Sequence, residues 1–299
     1  MPRRASWIFL TSPVSLFESL SGMDDRPFDR LKLSACLIAR DEERDIADAL
    51  SSLDFVDEIV LVLDQNTTDR TAEVARETVG AGQRLEIVEQ EWLGHVAQKN
   101  VALDHATHDW VLCLDADERV SPELRREIVE VFNTTGPRRS LGFSCPRRTF
   151  CLGRWIGHGG WYPDRKIRLF HRGHGRWGGV DPHDRVELRG PLGLLSGDLH
   201  HLSYRDLFDH MEKMRAYTEI SATRLFEKRR RGAFLRMLFE PPMKFVHMYL
   251  LRGGFLDRFP GLILAGLASY YVFLKYAQLH EKYRDEKRAR SHGAVRVSS

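Results

Sequence analysis

The first half of the chain alternates short apolar runs with stretches in which apolar residues recur at every third or fourth position. The apolar runs are typical of buried strands and cover residues 33–39, 59–63, 85–88 and 110–114. The stretches between them predict helices from Ile46, around Ala72 and from His95, and Ser121-Pro122 predicts the start of a fourth helix. Strand and helix repeated four times predict an α/β fold with a doubly wound, mostly parallel sheet.

The last third of the chain has a different pattern, which predicts helices at a membrane surface. Residues 205–228 have the spacing of one long helix, and a basic run at 228–231 is followed by interleaved apolar and aromatic residues. Residues 260–276 form the longest nearly uncharged stretch, at the lower limit for crossing a bilayer. We favour a partly inserted, monotopic helix over a complete span, and a buried packing helix is the alternative.

These patterns divide the 299 residues into four regions. We expect a loosely ordered extension over residues 1–30 and an α/β domain over 31–204. A helical membrane-interface region follows over 205–280, and a disordered, charge-rich tail over 281–299. The apolar patch near the N-terminus is interrupted and lacks a clean cleavage site, so it is not typical of a signal peptide.

Charge, cysteine spacing and the lack of two phosphate-binding motifs exclude several classes of protein. The formal net charge is only +3, and no recognisable nucleic-acid-binding module accompanies the basic run, so we expect no nucleic-acid partner. The four cysteines have no CxxC spacing, which indicates neither a zinc site nor a disulfide scaffold and favours a reducing compartment. Neither the dinucleotide fingerprint nor the P-loop motif is present.

Acidic side chains follow three of the four predicted strands. They are Asp41, Glu42, Asp64, Asp69, Asp115 and Asp117. The carboxyl ends of parallel strands meet at one edge of the sheet, and Asp115 and Asp117 point to the same side of an extended backbone. This edge is therefore a candidate site for a divalent cation and a diphosphate. The alternative is that these aspartates cap helices or bind nothing.

Four motifs, in this order and spacing, resemble the family 2 glycosyltransferases of the GT-A fold. They are residues 39–43 (Ala-Arg-Asp-Glu-Glu), Asp64 with 67–69 (Thr-Thr-Asp), 98–100 (Gln-Lys-Asn) and 115–118 (Asp-Ala-Asp-Glu). The resemblance covers roughly residues 31–217, and residues 159–170 and 199–204 are similar to the branch that adds sugars to the inner core of lipopolysaccharide. It implies a GT-A sheet and transfer of a hexose, typically glucose, from a nucleotide-diphosphate sugar, with a UDP-sugar as the first expectation. It also implies a lipid-linked or lipopolysaccharide-core acceptor and a peripheral or monotopic location at the cytoplasmic face of the bacterial inner membrane.

The resemblance implies roles for particular residues. Mg²⁺ or Mn²⁺ would neutralise the leaving diphosphate, with Asp117 as a direct ligand, Asp115 nearer the ribose and metal, and His201 as a later contact. The residues assigned to the nucleotide sugar are Arg40, Asp41, Glu42, Asp64, Asp69, Lys99, Asp115, Arg165 and Arg168. Structural roles stay open for three of these residues: a helix cap for Asp64, a solvated helix face for Lys99 and packing for His201. The turn at 65–68 (Gln-Asn-Thr-Thr) departs from the small, serine-rich turn of the family.

An inverting transfer, which is implied only by the resemblance, needs a group that removes the proton of the acceptor hydroxyl. The segment 177–184 is the place to look for this group. Related enzymes have a Val-His-Glu pattern there, and His183-Asp184 matches it with Asp in place of Glu. Asp184 is therefore the first candidate for the base, with Asp181 and Asp164 as further candidates. The alternative is that Asp184 only forms an ion pair with Arg185 or Arg189.

Two other functions fit the same residues. A nucleotidyltransferase has similar nucleotide and metal requirements on a similar sheet, although the glycine-rich and basic loop expected after its first strand is missing. A non-catalytic, membrane-associated protein that binds nucleotide sugars would retain the fold without needing the base.

Overall fold

A computed structural model describes residues 31–135, 139–181, 183–204 and 206–295, so the extension predicted at 1–30 lies outside the described residues. Four parallel strands come first: β1 (Leu33–Ala39), β2 (Glu58–Asp64), β3 (Arg84–Gln90) and β4 (Trp110–Asp115), in the spatial order β3-β2-β1-β4. Every residue of β1 and β2 is buried, as in parallel strands that are covered on both faces. These four strands confirm the strands predicted from the four apolar runs.

Four helices accompany these strands: α1 (Ile46–Ser51), α2 (Thr71–Thr78), α3 (His95–His105) and α4 (Pro122–Glu130). The Ser121 hydroxyl accepts a hydrogen bond from the Leu124 N–H at 3.1 Å, so α4 begins at the predicted cap. One core packs α1 and α4 against Leu37, Leu61 and Leu112, and a second core on the other face packs α3 against Val60 and Val111. The predicted layers of helices on both faces of the sheet are confirmed.

Further strands follow along the chain that no apolar run predicted. They are β5 (Glu118–Val120), β6 (Gly142–Cys151), β7 (Arg154–Trp155), β8 (Asp164–His171), β9 (Gly175–Val180), β10 (His183–Leu188), β11 (Leu192–Leu194) and β12 (Leu199–His201). Within the described residues, β8 pairs antiparallel with both β4 and β6, and β12 joins β6 to β5 at the far edge of a ten-stranded sheet. Strands β9 and β10 form a separate hairpin that packs on α3.

The C-terminal region is helical. It consists of α5 (Leu207–Glu227), α6 (Ala233–Val246), short π and 3₁₀ turns at His247–Leu251 and Gly254–Asp257, and α7 (Arg258–Val295). Helix α5 confirms the long helix predicted at 205–228. Helices α5, α6 and α7 pack together around Ala222, Ala233, Val272 and Leu279.

The apolar stretch 260–276 lies in α7 and has one buried face. Leu264, Ala265, Val272 and Tyr276 are buried, whereas Phe273 on the same stretch is exposed. Among the described residues, the segment Gly254–Ala289 is long enough to cross a membrane and contains a stretch of 18 residues with a mean hydropathy of 1.3. A core helix of a soluble protein can have the same length and composition.

The tail predicted to be disordered from residue 281 is instead helical as far as Val295. Its charges lie at helical spacing and find partners: Arg284 lies 3.5 Å from Glu281, and Glu286 accepts from Arg229 in the α5–α6 connection at 2.7 Å. Such pairs on a helix surface offset the cost of extending it into solvent. The abundance of charge that suggested disorder therefore supports a longer α7.

Candidate active site

A cleft of about 520 Å³ lies at the carboxyl ends of β1 and β4. Its lining consists of Ile38, Ala39, Arg40, Glu42, Trp92, His95, Lys99, Asp115, Ala116, Asp117, Arg147, Asp184, His201, Ser203, Tyr204, Lys213 and Tyr217. This is the sheet edge at which ligands bind in open α/β folds. Of the residues singled out from the sequence, the structure brings seven to this cleft. They are Arg40, Glu42, Lys99, Asp115, Asp117, Asp184 and His201.

The short turn between β4 and β5 presents Asp117, and strand β12 brings His201 beside it. Because β12 pairs with β5 so that His201 lies opposite Glu118, the imidazole is next to Asp117. The Asp117 backbone carbonyl also accepts from the Leu202 N–H at 2.9 Å. His201 Nε2 lies 3.4 Å from Asp117 Oδ2, and its Nδ1 is 3.2 Å from the Thr149 hydroxyl.

Lys99 joins two carboxylates from different strands, Asp115 at the end of β4 and Asp184 in β10. Its Nζ lies 2.6 Å from Asp115 Oδ1 and 2.7 Å from Asp184 Oδ2, and the lysine side chain is only 8% exposed. Lys99 is therefore not on a solvated helix face. Asp184 pairs with this lysine, which is 85 positions away in sequence, rather than with Arg185 or Arg189.

A buried arginine lies beneath the same cluster. Arg168 Nη2 donates to Asp115 Oδ2 at 2.7 Å and also to Glu118, whose side chain is completely buried. Glu118 is also within 3.3 Å of Arg147 and accepts from the Asp115 N–H at 3.1 Å. Both carboxylate oxygens of Asp115 are thus paired with cations, one from α3 and one from β8.

Trp177 supports both cations from the β9–β10 hairpin. Lys99 Nζ lies 4.4 Å from the centre of the Trp177 ring, and the Arg168 guanidinium lies 5.5 Å from it. The Asn100 side chain donates to the Trp177 carbonyl at 2.9 Å and accepts from its N–H at 3.1 Å. These contacts fix the hairpin on α3 and hold Asp184 within reach of Lys99.

The charges of the cluster are coupled. Burial alone would raise the pKa of Asp115, but Arg168 and Lys99 outweigh it and hold that pKa well below its usual range. In the same way burial would lower the pKa of Lys99, and Asp115 keeps it above its ordinary value. For Asp117, burial opposes ionisation and the neighbouring His201 favours it, so that its pKa is also lowered. Asp115, Lys99 and Asp117 are charged at neutral pH.

The acidic residues after β1 and β2 build the adjoining turn. The Asp41 carboxylate accepts from the Thr68 N–H at 2.7 Å, and Asp69 accepts from the Thr71 N–H at 3.0 Å and the Glu43 N–H at 2.9 Å. Buried Asp64 accepts from the Asn66 N–H at 2.9 Å, and its other oxygen lies 3.3 Å from Arg40 Nη1. Asp64 thus contacts the cleft through Arg40, whereas Asp41 and Asp69 hold backbone N–H groups.

Besides Asp41, Asp64, Asp69 and Arg168, whose contacts are given above, three further sequence candidates lie outside the cleft lining: Asp181, Asp164 and Arg165. Asp181 accepts from the Val96 N–H at 3.1 Å, at the N-terminus of α3, where Gly94 has a φ of +92° and leaves no room for a side chain against the Asp181 carboxylate. Asp164 pairs with Arg147 at 2.7 Å and with Lys166 at 3.0 Å.

Arg165 donates to the backbone carbonyls of Ser144 and Leu195 at 3.2 and 3.0 Å. Its guanidinium is therefore occupied by backbone groups rather than directed to a phosphate in the cleft.

Sequence reasoning missed three residues of the cluster. Glu118 belongs to the acidic motif, but its role as the buried partner of Arg168 and Arg147 depends on β8 and β6. Arg147 lies in β6, where no pattern distinguishes it from Arg148. Trp177 lies in β9, where a tryptophan followed by two glycines gives no indication of a cation-binding ring.

The donor set suits a divalent ion that is shared with a ligand. Among the described residues, no group of three or more His, Cys, Asp or Glu side chains is arranged to hold a metal by itself. Asp117 and His201 lie together on the cleft wall with oxygen and nitrogen atoms 3.4 Å apart. A Mg²⁺ or Mn²⁺ ion bound through few protein groups takes its remaining ligands from phosphate oxygens and water.

The chain has clear relatives in sequence. Residues 34–179 match the model of glycosyl transferase family 2. The chain is 28% identical over 261 residues to the lipopolysaccharide core biosynthesis glycosyltransferase LpsC of Rhizobium meliloti (strain 1021), covering 85% of this chain and 94% of that protein. It is 27% identical over 259 residues to an uncharacterized glycosyltransferase of Rickettsia typhi, covering 84% of this chain and 87% of that one.

Two solved structures have a similar course of the chain. One is residues 1–349 of S. aureus TarS in complex with UDP, with a TM-score of 0.44 and 17% identity, covering 86% of this chain and 92% of that one. The other is the mannosyltransferase PcManGT of Pyrobaculum calidifontis in complex with GDP-Man and Mn²⁺, with a TM-score of 0.45 and 15% identity, covering 92% and 85%. With the α/β sheet described above, the family match confirms the predicted GT-A fold. Residues 34–179 of the chain form a domain of glycosyl transferase family 2, and the chain resembles lipopolysaccharide core glycosyltransferases.

Proposed function

We propose that this protein transfers a hexose, with glucose as the first candidate, from a UDP-sugar to a lipid-linked saccharide of the lipopolysaccharide core, with inversion at the sugar carbon. The observation that carries the proposal is the meeting of Asp115, Lys99, Asp184, Asp117 and His201 in one cleft at the carboxyl ends of parallel strands. The similarity to LpsC over 85% of the chain supports the acceptor class.

Asp117 and His201 would hold Mg²⁺ or Mn²⁺, which neutralises the leaving diphosphate when bound. Asp115 is engaged by Lys99 and Arg168 through both of its oxygens, so we assign it to positioning Lys99 rather than to the metal. Arg40, 54% exposed beside Asp64 at the end of β1, is placed to contact the nucleotide.

Asp184 is the base in this proposal. Its carboxylate lines the cleft, is 15% exposed and is held in place by Lys99 Nζ at 2.7 Å, where it can take a proton from an acceptor hydroxyl. As the acceptor oxygen forms its bond to the sugar carbon, its proton passes to Asp184. The bond from that carbon to the diphosphate oxygen breaks, and UDP leaves with the electron pair. Asp181 and Asp164 are weaker candidates because one holds an α3 N–H group and the other two cations.

The helical region supports a membrane-associated location at the cytoplasmic face of a bacterial inner membrane. Large apolar side chains are exposed along α6 and the segment that follows it. They are Phe234, Leu235, Leu238, Phe239, Met243, Val246, Leu250, Leu251, Phe255, Leu256 and Phe259. The basic run 228–231 precedes them, a combination that suits an anionic leaflet. The proposed contact is therefore mainly through α6 and residues 246–259, with 260–276 packed behind them on one face.

Calorimetric titration of UDP in the presence of Mn²⁺ tests the donor site. We expect Asp117→Asn to weaken binding about tenfold or more, because it removes a carboxylate ligand. Asp104→Asn changes the same group in an exposed pair with Arg176 and should leave the affinity unchanged. Equal affinity in wild type and Asp117→Asn would contradict the assignment of the metal.

Turnover of labelled UDP- and GDP-sugars, with and without acceptor, tests the reaction. Asp184→Asn should lower transfer by about 10²–10⁴-fold while UDP still binds. Release of pyrophosphate from a nucleoside triphosphate would indicate a nucleotidyltransferase instead. If no sugar donor is turned over and Asp184→Asn leaves UDP binding unaltered, a non-catalytic binding protein is the better description.

A further inference from the structure

A second cavity lies beside the cleft and shares three wall residues with it. It encloses about 540 Å³ and borders on the cleft at Arg147, His201 and Tyr204. One further wall is the loop before β8 with Trp161, and another is the helical region around Lys244 and Arg252. A molecule bound in this cavity therefore lies directly next to the His201 side of the cleft. We call it the basic cavity.

The charge of the basic cavity is positive. Five groups that can carry positive charge line it: Arg147, His201, Lys244, His247 and Arg252. Its one carboxylate, Asp164, is already paired with Arg147 and Lys166. Lys244 and Arg252 are exposed, and within the described ranges neither has a carboxylate at ion-pair distance. Two uncompensated cations thus remain for a ligand.

The walls of the basic cavity are joined by a buried carboxylate. Asp257, 2% exposed, accepts from the His158 N–H at 2.7 Å and the Gly157 N–H at 3.1 Å, and it lies 3.6 Å from Arg154. The Gly159 N–H in turn donates to the Arg252 carbonyl at 2.9 Å. The loop with Trp161 and the segment with Arg252 are thus held together by several hydrogen bonds and an ion pair, and the cavity is a built feature of the fold.

An apolar pocket of about 420 Å³ continues from the basic cavity. The two share Trp161, Tyr204, Lys244 and Ala268. The remaining lining of the pocket is largely apolar and comes from α5 and α7, with Met214, Leu264, Leu267, Tyr271 and Val272 among it. The series from the polar cleft through the basic cavity to an apolar pocket matches a molecule that is polar at one end and apolar at the other.

We propose that the basic cavity binds an anionic substituent, a phosphate or a carboxylate, on the saccharide of the acceptor. Lys244 and Arg252 contact the anion, and Trp161 packs against an adjacent sugar ring. The proposal rests on the proposed function, since it places the acceptor beside the cleft that holds Asp184. It adds that the acceptor is recognised by its negative charge, one ring or more away from the hydroxyl that reacts.

The position of the cavity favours a saccharide over a membrane headgroup as the source of the anion. Its walls include Arg147 and His201 of the cleft itself, whereas the basic run 228–231 contributes nothing to its lining. Headgroup binding is better supplied by that run next to the exposed apolar residues of α6. The two sources can be separated with two pairs of substitutions.

The test compares Lys244→Gln/Arg252→Gln with Lys228→Gln/Arg231→Gln in the full chain. Each pair removes one lysine and one arginine charge, but only the first lines the basic cavity. With UDP and Mn²⁺ at saturation, mannose 6-phosphate, glucuronate and mannose are titrated into wild type and both variants. We expect both anionic sugars to bind wild type, the first variant to lose at least tenfold in affinity for them, the second to lose nothing, and mannose to show no dependence on either pair. Equal affinity of the first variant and wild type for both anionic sugars overturns the proposal.

Binding to phosphatidylglycerol vesicles is measured on the same proteins. We expect the second variant to lose more vesicle binding than the first. If the first variant loses vesicle binding while its affinity for the anionic sugars is unchanged, the cations serve headgroups and the proposal is wrong. UDP affinity, measured beforehand, distinguishes failure of the proposed function from failure of this further proposal. If the wild type does not bind UDP, the proposed function is contradicted. If UDP binds but the wild type and the first variant have equal affinities for the anionic sugars, only the assignment of the basic cavity to the acceptor is contradicted.

Discussion

The buried cation beneath the cleft allows a quantitative test of how the site is held together. Arg168 is 4% exposed and pairs with Asp115 and with Glu118, which is 0% exposed. Arg168→Gln removes the charge and leaves Glu118 with Arg147 at 3.3 Å and Asp115 with Lys99 at 2.6 Å. Breaking a buried pair in this way costs about 3–5 kcal/mol, and the remaining cations place the expected loss near the lower limit, about 3 kcal/mol.

Thermal unfolding of the full chain measures this loss. For a domain of this size about 1 kcal/mol corresponds to about 2–4 °C, so Arg168→Gln should lower the Tm by roughly 6–12 °C. Arg176→Gln is the matched control, because it breaks an arginine–aspartate pair whose side chains are 57% and 58% exposed. An exposed pair contributes at most about 1 kcal/mol, so the control should lower the Tm by no more than about 4 °C.

A double-mutant cycle with Glu118→Gln identifies the cause. If the loss comes from an uncompensated charge, Arg168→Gln/Glu118→Gln should cost less than the two single changes together, by about 0.5–3 kcal/mol. Additive losses, or an Arg168→Gln variant no less stable than Arg176→Gln, would refute the reasoning that the cluster is held by paired buried charges.

Three further predictions concern pH and two contacts around the site. Because Arg168 and Lys99 lower the folded-state pKa of Asp115, its contribution to stability is present above about pH 4 and is lost as pH falls toward that lowered pKa. Urea unfolding of wild type and Asp115→Asn should therefore differ most near neutral pH and converge in acid, and a difference independent of pH would contradict this. Gly94→Ala should destabilise the protein by about 1–3 kcal/mol, because φ is +92° and the new methyl group meets Asp181. Gly80→Ala is the control, since a methyl group there has nothing within 4 Å, and it should leave the stability unchanged. Equal unfolding curves for the two variants would show that the turn at Gly94 relaxes. Asp257→Asn should speed tryptic cleavage at Arg154, because it weakens the hydrogen bonds that Asp257 accepts from the N–H groups of residues 157 and 158. The exposed Asp285→Asn should leave the cleavage rate unchanged. An unaltered cleavage pattern in Asp257→Asn would mean that other contacts hold the loop.

The predictable part of the fold is the part in which burial is uniform. Strands β1, β2 and β4 are covered on both faces and therefore appear in the sequence as continuous apolar runs. Strand β8 does not, because it has to carry Arg168 inward and Asp164 and Lys166 toward polar surroundings. The strands that complete the site therefore lack the continuous apolar run from which a buried strand is predicted.

The site itself was predictable in place but only partly in its contacts. The order of the parallel strands placed the acidic motifs at one edge, and the cleft lies there. That Lys99 joins Asp115 and Asp184 depends on how the β9–β10 hairpin packs on α3 through Asn100 and Trp177. No local pattern in the sequence encodes that packing, which is why the sequence offered only the neighbouring Arg185 and Arg189 as alternative partners of Asp184.

The hydrogen bonds that Asp257 accepts from residues 157 and 158 have a practical consequence for handling the protein. They fasten the loop that bears Trp161 to the turn from which α7 starts, next to the apolar side chains of Phe255 and Leu256. In the membrane contact that we propose, the amphiphile that surrounds those side chains after extraction would shift one wall of the basic cavity, while the strands that carry Asp115 stay in place. We expect some detergents to yield preparations that retain nucleotide affinity yet fail to glycosylate, and exchange into lipid nanodiscs to restore transfer without any refolding step.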